Sequence, residues 1–340
     1  MQNKINLGII GKNFGYNVIY KSFSKNKKYK VKAFCFKTKK YEKIKVLKGI
    51  KIYSSWRKLI LDKKINAIAI ATPPKLHKDI IKFAIKNNKH VFCEKPFTRS
   101  YKEATSICDL IKKKKHLSHM VNYEFGEIDA FNFFREKVIN NIKVKKVYVE
   151  WYINIKKRLN DNWKENPSKG GGIIYNYVCH SIYYLEFLLG KINSVKVNIS
   201  QEKKRKTKFL KGTFFFNSGL IARIDIKVGA ISKKIKPIHQ IRILSKKKNY
   251  LLKTDLNSLA DKFKLITFDN KSNKKENNLF KIEKNKSDFR IKPTFINSKK
   301  FAQSILKGKN EEPSFFKAKR IHLIIDKMLD SSKKNKKIFI

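Results

Sequence analysis

The chain has 340 residues, 41% of them apolar, which is enough for two packed domains and argues against a disordered polypeptide. Its net charge is +55, but only nine of the 81 basic residues are Arg and the Lys residues run from end to end. Specific nucleic-acid readers favour Arg for bidentate base contacts, so the charge reads as a general compositional bias, and no specific nucleic-acid partner is expected.

The N-terminal part alternates strands and helices. Residues 5–10 form a continuous apolar strand that runs into Gly11-Lys12-Asn13-Phe14-Gly15, and residues 18–23 begin a helix. Strands follow at 31–36, 67–71, 91–93 and 119–123, with helices at 56–62, 77–87 and 100–113. This alternation predicts a parallel sheet with helices on both faces. After residue 122 the pattern changes. A helix at 125–140, a strand at 144–153 and a helix at 173–189, stopped by Gly190, precede strands at 195–200, 209–216, 221–228, 240–244 and 250–252. Consecutive strands predict a mostly antiparallel sheet. Residues 269–287 read as a polar loop or weak strand, and 295–306 and 318–331 as helices. The expected organisation is a dinucleotide-binding domain over 1–122 and a substrate-binding and oligomerisation α/β domain over 123–340.

No apolar run approaches the ~18 residues of a membrane-spanning helix. The first strand begins at Ile5, which leaves no room for a signal peptide. Cys35, Cys93, Cys108 and Cys179 form no C-x-x-C, so buried free thiols in the cytoplasm are expected, with no metal site. Phe214-Phe215-Phe216 in a sheet strand puts aromatics on both faces. An exposed apolar sheet face marks an interface, so a homodimer or homotetramer is expected.

Three constellations carry chemistry. The first is the turn after strand one, a degenerate dinucleotide fingerprint with Gly11, Asn13 and Gly15 in place of G-x-G-x-x-G. Asn tolerates positive φ, so the turn can survive the change. No acid precedes Glu42, so the clamp for the 2′-hydroxyl of NAD is missing, and Lys37 after strand two tilts the cofactor toward NADP. The second lies at two strand ends. One strand runs into Thr72-Pro73-Pro74 and then His77; another ends in Glu94-Lys95-Pro96. The rim of a parallel sheet is where α/β proteins bind ligands, and a Lys fixed there by a following Pro is not a solvated surface Lys. The third is Gly170-Gly171-Gly172 followed by Asn176 and His180. On an α-helix the last two share a face at i and i+4. Glycines let backbone approach a ligand closely, and a His there can accept a hydroxyl proton as hydride leaves the same carbon.

These residues, together with Gly8-Ile9-Ile10-Gly11, Val121-Asn122-Tyr123-Glu124-Phe125, Trp163 and Pro167, resemble the Gfo/Idh/MocA family of NAD(P)-dependent oxidoreductases from end to end. The resemblance implies a Rossmann domain followed by an α/β domain with a large open antiparallel sheet. It implies NADP or NAD as cofactor and hydride exchange at a hydroxyl carbon of a sugar, sugar derivative, inositol or similar small molecule. It implies Lys95 as the catalytic or orienting lysine, His180 as the acid/base, and often a cis Lys95–Pro96 peptide. The expected cofactor set is Gly11, Asn13, Phe14, Gly15, Lys37, Thr72, Pro73, His77, Glu94 and Lys95. The expected substrate set is Lys95, Tyr123, Trp163, Asn176 and His180. Three departures stand out: Asn13 for the second glycine, Asn176 where many members have Asp, and Tyr183 where a later Asp is common. Asn can hydrogen-bond but cannot titrate. The family also contains non-catalytic cofactor-binding regulators, which is the alternative reading.

Overall fold

The computed structural model describes residues 4–36, 49–154, 164, 166, 169–200, 207–229, 237–246, 248–255, 263–269, 275–278 and 288–340. The chain divides into two compact units. Unit 1 comprises Met1–Glu124, Ser168–Gly170 and Arg290–His322, and unit 2 comprises Phe125–Pro167, Gly171–Phe289 and Leu323–Ile340. The units interleave along the chain, with Arg290–His322 grouped with the N-terminal residues.

Unit 1 is built on a six-stranded parallel sheet of β1 (Ile5–Ile10), β2 (Tyr29–Cys35), β3 (Lys51–Tyr53), β4 (Ala67–Ile70), β5 (His90–Glu94) and β6 (His119–Asn122). The spatial order is β3-β2-β1-β4-β5-β6. The order reverses between β1 and β4, and a doubly wound sheet binds its ligand across that switch point. β4 is buried at every residue, because a parallel sheet with helices on both faces has no wet side. Phe23, Phe34 and Phe92 are fully buried in its core, each worth about 1.5–3 kcal/mol of transfer free energy.

The helices of this unit include α1 (Lys21–Ser24), α2 (Trp56–Leu61), α3 (His77–Lys86) and α4 (Tyr101–Lys112). α4 starts where the sequence predicts because Ser100 caps it: its Oγ accepts from Glu103 N–H at 3.2 Å. Glu103 reaches back to the Arg99 N–H at 3.1 Å, a shifted version of the reciprocal cap.

Unit 2 begins with a broken helical stretch containing α5 (Asp129–Phe133), where the sequence reading has one helix over 125–140. Ile128 is extended there, with φ −75° and ψ 125°. A nine-stranded sheet follows, containing β7 (Val144–Asn154), β8 (Ile192–Ser200), β9 (Thr207–Phe216), β10 (Ile221–Gly229), β11 (Ile238–Ser245), β12 (Lys248–Asp255), β13 (Lys264–Asp269), β14 (Lys275–Asn278) and β15 (Ile338–Phe339). Neighbouring strands are antiparallel except β10 and β7, which run parallel. In β10, Ala222, Ile224, Ile226 and Val228 are buried while the residues between them are not, the period-2 signature of a sheet with one packed face. α6 (Cys179–Leu189) packs on that face through Tyr184 and His239, whose rings lie 5.6 Å apart. The remaining helices are α7 (Ile291–Lys307), in unit 1, and α8 (Phe315–Lys334), which passes from unit 1 into unit 2 at Leu323.

Of the three consecutive phenylalanines, Phe214 and Phe216 are buried and Phe215 is half-exposed, with Lys337 Nζ 4.1 Å from its ring centroid. All four cysteines are buried and free. Among the described residues, no helix is long and apolar enough to cross a membrane.

Candidate active site

The rim of the unit 1 sheet gathers the first group of candidates. β1 runs into Gly11, whose φ of +131° is a conformation that glycine alone adopts readily. A Cβ built on Gly11 would lie 2.3 Å from the Ala71 carbonyl oxygen, so the β1 turn passes directly against the end of β4. The sequence reading let Asn13 supply a positive φ. The structure puts that burden on Gly11, and Asn13 lies at the start of the following helical turn, exposed to solvent. Gly15 opens a π-wound segment (Gly15–Tyr20), and Tyr16 N–H donates to the Lys12 carbonyl at 2.8 Å. Phe14 is half-buried, with the Arg290 guanidinium 5.0 Å from its ring centroid.

At the end of β4, Thr72 Oγ1 is buried with no hydrogen-bond partner among the described residues. A buried hydroxyl at the switch-point rim fits a nicotinamide dinucleotide, which carries many polar atoms to satisfy it. Pro73 and Pro74 lead into His77, which is fully buried. His77 Nε2 lies 2.8 Å from the Thr72 carbonyl oxygen, and Nδ1 lies 3.1 and 3.2 Å from the Pro96 and Phe97 carbonyls. Both ring nitrogens face main chain. His77 therefore clasps the turn after β4 to the turn after β5. Burial lowers its pKa from the usual imidazole value.

β5 delivers Glu94, Lys95 and Pro96. The Lys95–Pro96 peptide is cis and Lys95 is half-buried. Glu94 is buried, and its Oε1 accepts from Asn122 Nδ2 at 2.6 Å. Asn122 is held in turn by α7: its Nδ2 donates to Thr294 Oγ1 at 3.0 Å, and its Oδ1 accepts from Asn297 at 2.9 Å. Burial first, and then the nearby Glu124, push the Glu94 carboxyl up to about 8; Asn122, Lys95 and Arg290 pull it the other way. The segment after Lys95 has a second histidine support, since Thr98 N–H donates to His322 Nε2 at 3.2 Å. Tyr123, expected at the substrate, is fully buried. Gly170, at φ +81°, would bring a Cβ within 2.8 Å of Pro74.

Unit 2 carries the remaining candidates. Gly171 N–H donates to the Asn166 carbonyl at 2.9 Å and Gly172 has φ +81°. Residues Ile174–Val178 are π-wound, so Asn176 and His180 are not in the α-helical i, i+4 register on which the one-face expectation rests. Asn176 is half-buried and donates to the Lys164 carbonyl. His180 is 4% exposed, its ring 4.8 Å from Phe125 and 6.3 Å from Trp151. Close by, His239 stacks on Trp151 at 4.0 Å and 1°, and lies 3.1 Å from Tyr184 Oη, which donates to Ser181 at 3.0 Å. Burial drives His239 down to about 3, so it is neutral. The sequence reading missed this group and the Asn122–Thr294–Asn297 support of Glu94. Thr294 and Asn297, three apart on the buried stripe of α7, were the available signal. Lys37 and Trp163 lie outside the described residues.

Comparison with known proteins agrees with the fold. The model of the oxidoreductase family, NAD-binding Rossmann fold, matches residues 5–123, and that of its C-terminal alpha/beta domain matches residues 135–340. An uncharacterized oxidoreductase of Schizosaccharomyces pombe is 30% identical over 159 residues, covering 46% of this chain and 42% of that protein. The 2,7-anhydro-N-acetylneuraminate hydratase of Escherichia coli is 32% identical over 145 residues, covering 41% of this chain and 37% of that protein. The matched stretch thus spans about two fifths of each relative's length. A solved levoglucosan dehydrogenase, in complex with NADH and L-sorbose, superposes with a TM-score of 0.81 at 17% identity, covering 99% of both chains. With both family models matched in sequence and both sheets in place, the chain belongs to the Gfo/Idh/MocA oxidoreductase family.

Proposed function

We propose that the protein is an NAD(P)-dependent dehydrogenase or reductase that moves a hydride between a nicotinamide cofactor and a hydroxyl or keto carbon of a sugar or sugar derivative. The observation that carries this reading is the rim of the unit 1 sheet. The Gly11 turn and the buried Thr72 hydroxyl sit at the ends of β1 and β4, the two strands that flank the switch point, and Lys95 follows the next strand, β5. The domain over 1–122 would bind the dinucleotide, and the domain over 123–340 the substrate and a second copy of the chain, as a homodimer or homotetramer in the cytoplasm. The named relatives point to anhydrosugar-like substrates, since one is a hydratase of an anhydro-sugar acid and one a levoglucosan dehydrogenase.

The cofactor, when bound, supplies the hydride acceptor or donor. The backbone after Gly11 would approach its pyrophosphate, and Lys37 would favour a 2′-phosphate, hence NADP over NAD. Lys95 would hold the reacting oxygen and stabilise negative charge developing on it. His180 would take the hydroxyl proton or return it. Asn176, Tyr123 and Trp163 would orient the substrate.

One observation favours a second reading, a non-catalytic NAD(P)-binding regulator or scaffold. His180 is packed among aromatic rings, as a core histidine would be. Titration with NADPH and NADH separates the readings from all others: saturable binding of at least one is expected, and binding of neither refutes both. Turnover then separates enzyme from regulator.

A further inference from the structure

The imidazole of His77, at the start of α3, is fully buried. Its hydrogen-bond partners among the described residues are three main-chain carbonyl oxygens and one thiol. Nε2 lies 2.8 Å from the Thr72 carbonyl oxygen. Nδ1 lies 3.1 Å from the Pro96 carbonyl and 3.2 Å from that of Phe97. Cys93 Sγ lies 3.4 Å from the same Nδ1, and the thiol donates to the Glu94 carbonyl at 3.2 Å.

A carbonyl oxygen only accepts, and a neutral imidazole carries one N–H and one bare nitrogen. Either neutral tautomer therefore sets a lone pair against oxygen. With the proton on Nδ1, the bare Nε2 faces Thr72 at 2.8 Å. With the proton on Nε2, the bare Nδ1 can accept from Cys93 but faces the Pro96 and Phe97 carbonyls together. With both nitrogens protonated, every carbonyl meets a donor and the thiol keeps its bond to the Glu94 carbonyl. We propose that His77 is held as a doubly protonated imidazolium, whose two N–H groups fix the turn that presents Lys95 against the turn that carries the Thr72 hydroxyl. His77 is then a positioning residue. That role, though not the protonation itself, rests on the cofactor reading and the part given to Lys95 above.

Burial opposes the charge. Shedding a proton brings little relief, because it leaves a buried carbonyl facing a lone pair in place of a donor, whereas hydrogen bonds from the charged form favour that form. Two side chains from neighbouring elements bear on the ring. Cys93, on β5, is fully buried and its thiol is pushed well up, so it is neutral and the pair is not a thiolate–imidazolium couple. Glu103, on α4, acts on the ring from a distance in favour of its charge and is itself bound by Arg99.

The test is nitrogen NMR of the full chain, isotope-labelled at the ring nitrogens of its seven histidines, at neutral pH without nucleotide. One ring should carry a directly bonded hydrogen on both nitrogens, and His77→Gln should delete its signals. If that variant misfolds, Cys93→Ser, which changes the group 3.4 Å from Nδ1, should shift them. A His77 ring with one bare nitrogen would overturn the proposal. Titration with NADH and NADPH across the neutral and alkaline range tests the positioning. Affinity should stay level while the ring keeps both protons and fall once the second is lost; affinity that stays level after that loss would overturn the positioning role. Binding of neither nucleotide would overturn the cofactor reading and the positioning role with it, while the spectra still decide the two-proton ring.

Discussion

Replacing Gly11 by Ala tests how the sheet builds the cofactor turn. Two costs add. A φ of +131° strains any residue with a side chain, by about 1–3 kcal/mol. The new Cβ would also lie 2.3 Å from the Ala71 oxygen and 2.5 Å from its carbonyl carbon. Those atoms are main chain and cannot swing away. Ala71 N–H is tied to the Ile10 carbonyl at 2.7 Å, so moving β4 breaks the bond that aligns it with β1. Overpacking of this kind costs about 1–3 kcal/mol. Gly11→Ala should therefore lose about 2–6 kcal/mol, a large share of the roughly 5–15 kcal/mol of a folded domain. Gly15→Ala is the control. Its Cβ would meet Ile9 Cγ2 at 3.4 Å and Ala71 Cβ at 3.7 Å, ordinary contacts, so a change within about 1 kcal/mol is expected. Urea denaturation of both variants, with nucleotide titration alongside, checks this. A Gly11→Ala protein within about 1 kcal/mol of wild type, or two variants equally destabilised, would refute the argument from the β1/β4 approach.

The buried histidines give a second expectation. Burial holds His90, His119 and His322 down to about 4 and His239 to about 3, against 6.5 in an unfolded chain. Between those values the unfolded state binds more protons, so stability falls as pH drops from about 6.5 toward 4. Denaturation midpoints that stay level across that window would contradict it. For the cofactor, Lys37→Asp should shift the affinity ratio from NADPH toward NADH, because a carboxylate repels the 2′-phosphate and accepts from a 2′-hydroxyl. A wild-type protein that already binds NADH much the more tightly would remove the basis for the Lys37 assignment.

Much of unit 1 was legible because parallel strands are buried on both faces and read as near-continuous apolar runs, as β4 does and as β1 does apart from Asn6. β3 escaped notice because it is a three-residue edge strand with half-exposed side chains. β15 escaped because it is two residues long and exists only by pairing with β8. The helix expected over 125–140 is interrupted at Ile128, whose extended backbone periodicity does not reveal. Lys95 could be found because strand-end chemistry is local in sequence. The partners of Glu94 could not, since Asn122 meets Thr294 and Asn297 across more than 170 positions. The Asn176–His180 pairing rests on α-helical pitch, whereas Ile174–Val178 is π-wound, a local departure that apolar periodicity does not mark.

The most direct test of the central claim is turnover. Wild type, Lys95→Ala and His180→Ala would be assayed by nicotinamide absorbance against a panel of free sugars, anhydrosugars, inositols and nucleotide-sugars, with nucleotide affinity measured on the same samples. Turnover of at least one sugar-type compound by wild type is expected, reduced by roughly a hundredfold or more in each variant, with nucleotide affinity little changed. Near-normal turnover in both variants would place the chemistry elsewhere, and saturable nucleotide binding with no turnover of any compound by wild type would contradict the enzyme reading in favour of a regulator.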